Sequence, residues 1–193
     1  MLGELGGGFS LRKGRVHEVE GSGAAAFTAV LCAGTKGDLI WIAERREADT
    51  LNPLGLAAFF DPSRLLVVRV PNQTEALAVM EEALRDGAAA LVAAEFSGPV
   101  DFREGRRLQL AAGVGGATGL CLIPEGAGAN AAETRWHAAP LRSEDGSTLM
   151  RWRLIKNKSG TFGAWDVRWD AAAHRLDVVS PSGERQGPAG RDG

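Results

Sequence analysis

The segment GRVHEVEGSGAAAFT, residues 14–28, keeps the spacing of a phosphate-binding loop without its cation. In a loop of the form G-x-x-x-x-G-K-[ST], backbone amides surround the phosphates, the lysine neutralises them and the final hydroxyl holds Mg²⁺. On that template Gly21 takes the first glycine position, Ala26 the second, Phe27 the lysine position and Thr28 the hydroxyl position. Phenylalanine removes charge-assisted hydrogen bonds worth roughly 1.5–3 kcal/mol each, and it sets an apolar ring where phosphates would lie. The segment is therefore expected to form a strand-to-helix turn with Phe27 as a core or interface residue. A helix N-terminus there keeps only a weak pull on anions, typically ~0.3–1 kcal/mol. No catalytic residue, metal or cofactor is expected.

Two carboxylates stand where such a loop would need them. Glu44 ends the run DLIWIAE, placed to orient a water, and Glu95 ends AALVAAE, placed to ligate Mg²⁺. Without a bound phosphate neither has a substrate, and the run ERRE makes an ion-paired surface position the simpler account of Glu44. Both are expected to be remnants of a nucleotide site. The strongest candidate for a working surface is basic: Arg151, Arg153, Lys156 and Lys158, with Trp152 interleaved and Arg168 on a facing strand. Cations without an intervening acid suit phosphate or partner contacts, although an ordinary polar strand face would look the same. Arg103, Arg106 and Arg107 form a second cluster, expected to be a solvated helix face.

Other chemistries find no support. His17, His137 and His174 are too scattered for a metal site. Ser10, Ser22 and Ser97 lack the G-x-S-x-G context of a hydrolase. Cys32 and Cys121 sit in apolar runs without CxxC spacing and are expected to be buried free thiols. The 193 residues are 45% apolar and 24% charged with a net charge of -2, which suits one globular domain and opposes a uniformly basic nucleic-acid binder. No run is long and apolar enough to span a membrane, no secretory signal opens the chain, and a cytoplasmic location is expected.

Positioning these residues requires alternating strands and helices. Strands are expected at Val16–Val19, 38–42, 64–70, 88–94 and 118–123, and helices at 24–33, 54–60, 73–86 and 101–113. Leu149–Ile155, the alternating stretch Trp165 to Trp169, and 175–179 are expected to be antiparallel strands closing the sheet, with the AAAH of 171–174 as a turn. The fold class is therefore α/β, a mostly parallel sheet flanked by helices with antiparallel strands at the C-terminal end. A flexible segment is expected at 1–10, one domain at 11–180 and a disordered tail at 181–193.

Six segments recur in a recognisable order: GRVHEVEGSGAAAFT, DLIWIAERRE, LGLAAFFDPSRLLVVRVPNQTEALAVMEEAL, AALVAAEF, RRLQLAAGVGGATGLCLIP and RWRLIKNKSGTFGAWDVRWD. In that order they resemble the RecA-like core, and within that superfamily the ImuA family of inducible-mutagenesis accessory proteins. The resemblance covers roughly residues 11–180. It implies that Glu44 matches the water-activating glutamate of RecA proteins and that Glu95 stands at the Walker B position. Lys156 and Lys158 match the KNK lysines that reach a neighbouring subunit's nucleotide in RecA filaments. Loss of the loop lysine and second glycine agrees with the ImuA pattern, so ATP turnover and filament formation are not implied.

The resemblance implies a non-catalytic adaptor in SOS-induced translesion DNA synthesis, associated with the nucleoid on DNA damage. Implied partners are RecA, a catalytically inactive Y-family polymerase homologue of the ImuB type and an error-prone replicative-type DNA polymerase. A weak single-stranded DNA contact and a homo-oligomer are compatible with it. The alternatives are a SulA-like cell-division inhibitor, which the KNK segment and extra strands disfavour, and a RecA-like ATPase with an unconventional phosphate loop.

Overall fold

Strands and helices alternate through the first two thirds of the chain, and strands alone follow. The computed structural model describes residues 11–44, 51–128, 131–143 and 147–182. The expectations for 1–10 and 183–193 lie outside these residues. The elements are β1 (Val16–Glu20), α1 (Ala24–Gly34), β2 (Leu39–Glu44), α2 (Pro53–Ala57), β3 (Leu65–Val70), α3 (Gln73–Asp86) and β4 (Leu91–Glu95). Then come α4 (Phe102–Gly115), β5 (Thr118–Leu122), β6 (Thr134–Pro140), β7 (Thr148–Asn157), β8 (Gly163–Asp170) and β9 (Arg175–Ser182).

Among the described residues the strands form one sheet in the order β3-β2-β4-β5-β1-β6-β7-β8-β9. Pairings from β3 across to β6 are parallel, and those from β6 to β9 are antiparallel. Strand side chains alternate between two cores. Trp41, Ala93 and Leu120 join Phe27, Val30 and Leu31 of α1 on one face. Ile42, Val92, Ala94 and Cys121 join Met80 and Leu84 of α3 and Leu108 of α4 on the other. Burial on both faces is why the central strands read as continuous apolar runs.

The long helices carry their own start and stop signals. The Asn72 side chain accepts from the Glu75 amide, and Gly87 ends α3 in the left-handed conformation. Asp101 and Glu104 form a reciprocal capping box at the start of α4. Helix α1 has no side-chain cap; its hold on the protein comes from buried Phe27, Val30 and Leu31.

The observed fold class is the expected one, with local differences. Strand β6 was not anticipated, yet it joins the parallel and antiparallel parts by pairing with both β1 and β7. Helix α2 stops at Ala57 instead of residue 60, and Phe59 instead stacks on Trp169 with ring centroids 5.5 Å apart. Strand β4 begins at Leu91, because the preceding residues form a connection in which the Ala90 amide bonds to Asp38 O. Strand β9 runs to Ser182, two residues into the expected tail. The 171–174 turn is as expected.

Candidate functional site

The turn after β1 is short, and its glycines face strand β6. Helix α1 starts at Ala24, so Ala26 and Phe27 already lie in its first turn. The Gly23 amide donates to Ala138 O at 2.9 Å. A Cβ on Gly21 (φ +91) would lie 2.5 Å from that same oxygen, and one on Gly23 would lie 2.9 Å from the Ala138 carbonyl carbon. The close approach of β6 thus accounts for both glycines. Thr28 Oγ1 donates to Ala24 O at 2.8 Å, a bond back along its own helix.

Phe27 is 1% exposed. Its ring lies 4.5 Å from that of Trp152 at a steep angle and 5.6 Å from that of Trp136, which in turn lies 5.9 Å from Trp165. These aromatic residues come from α1, β6, β7 and β8, so the lysine position of the template is a packing centre joining α1 to the antiparallel strands.

At the C-terminal ends of the parallel strands, where α/β folds commonly bind ligands, three carboxylates have protein donors. Glu44 accepts from Ser97 Oγ at 2.7 Å and more weakly from the Ser97 amide at 3.3 Å. Glu95 accepts from Trp41 Nε1 at 2.7 Å. Glu20, which the sequence did not single out, is buried and accepts from the Gly126 amide at 3.1 Å. Among the described residues no group of three or more His, Cys, Asp or Glu could hold a metal ion.

Strand β7 brings its cations together and engages most of them. Arg151 makes a two-pronged ion pair with Asp166 of β8, at 2.7 and 2.9 Å, which together with the charge raises its pKa. Lys156 Nζ donates to Ala132 O and Lys158 Nζ to Ala131 O, each at 2.8 Å, tying β7 to the segment leading into β6. The pairing slips between Arg135 and Trp136, which oppose Lys156 and Leu154, and Ile155 is the extra residue. Lys156 follows the inward parity of Met150, Trp152 and Leu154 and is half-buried, whereas Arg151 and Arg153 are exposed, so the cations of this run do not share one face. Burial lowers the Lys156 pKa. Arg168 stands opposite Leu149 in β8, and Arg153, exposed, stands opposite His137 of β6.

A buried polar row beside this patch carries no sequence signal of its own. Arg135 Nε donates to the buried carboxylate of Glu18 at 2.8 Å. His17 is fully buried between Thr134 Oγ1 at 2.7 Å and Arg12 O at 3.1 Å, and burial lowers its pKa to about 4. Both cysteines are buried free thiols as expected; burial raises Cys32 to about 12 and pushes Cys121 well up.

No family model matches the chain. Two curated relatives do, each called Protein ImuA, from Caulobacter vibrioides strains NA1000 / CB15N and ATCC 19089 / CIP 103742 / CB 15. Each is 33% identical over 199 residues, spanning 88% of this chain and 80% of the relative.

Proposed function

The chain belongs to the ImuA family, and on that premise we propose that it is a non-catalytic adaptor in mutagenic repair of damaged DNA. In this role it recruits or bridges RecA and error-prone polymerase components during SOS-induced translesion synthesis. Its degenerate phosphate loop turns over no ATP, and its chemistry is recruitment. The observation that carries this proposal is Phe27, packed between Trp136 and Trp152 at the position where a phosphate loop needs lysine. Supporting it, Glu44 and Glu95 already accept hydrogen bonds from Ser97 and Trp41.

The partner surface proposed here lies along β7, where Arg153 holds no ion pair among the described residues. Lys158 is exposed while bonded to Ala131 O. The test is co-sedimentation of the purified chain with RecA filaments on single-stranded DNA. Binding is expected, and Arg153→Glu with Lys158→Glu should weaken it by about tenfold, the scale of losing contacts at a hot spot. Because Lys158→Glu also removes an internal bond, Arg153→Glu alone is the cleaner variant. No binding, or binding indifferent to both changes, overturns the β7 assignment. Filamentous growth on overexpression with an unchanged damage-induced mutation frequency would instead support a cell-division inhibitor.

A further inference from the structure

We draw no further inference here: the strongest candidate, the open sheet edge at β3 with Leu66 and Val67 exposed along it, carries none because nothing in the structure shows what covers it.

Discussion

Removing the Phe27 ring leaves a hole between Trp136 and Trp152. Phe27→Ala should cost about 3–5 kcal/mol, the usual range for a fully buried phenylalanine, read as a lower urea midpoint. Phe27→Lys restores the motif's cation but buries an ammonium among rings, so it should destabilise at least as much and confer no ATP binding. His17 predicts an acid sensitivity. Burial lowers its pKa to about 4 in the folded protein from the 6.5 of an ordinary histidine, so the unfolded chain binds more protons between those pH values. Stability contributed by the neutral ring is complete above pH 6.5 and declines as pH falls toward 4, by about 3 kcal/mol in all. Urea midpoints across this window should fall less steeply for His17→Gln than for the unchanged protein; parallel slopes would contradict the assignment.

At the scale of elements, β6 organises the molecule, since it closes the parallel set on one edge and starts the antiparallel one on the other. Gly21→Ala should therefore destabilise by more than about 1 kcal/mol, because φ there is +91 and the new methyl would meet Ala138 O. Thermal melts of this variant beside Gly126→Ala separate crowding from backbone strain. Gly126 shares a positive φ but has nothing within 4 Å of its missing Cβ, so equal losses would reject the close contact as the cause. Helices α3 and α4 were legible in sequence through their period and caps. Strand β6 was not, because TRWHAAP carries Arg135 and His137 in an interior strand. Arg135 is tolerated there by Glu18, 117 residues away in sequence. The β7 cations were legible as residues, and their engagements were not. Asp166 reaches Arg151 only because β8 pairs alongside.

Across the whole molecule, a nine-stranded sheet among the described residues carries the cationic strand β7 in its antiparallel half. The expected α/β class followed from the alternation of apolar runs with helical periods, which a buried parallel sheet imposes on sequence. What the sequence left open was whether the turn at Gly21 keeps room for a nucleotide. Spacing alone cannot show that Ala138 lies against both glycines or that the ring of Phe27 joins β6 and β7 to α1. The proposed role depends on that packing, and calorimetric titration of the purified chain with Mg-ATP tests it most directly. No saturable heat at millimolar nucleotide is expected. Saturable binding with about one nucleotide per chain, lost on changing Thr28 to Val, would contradict the account.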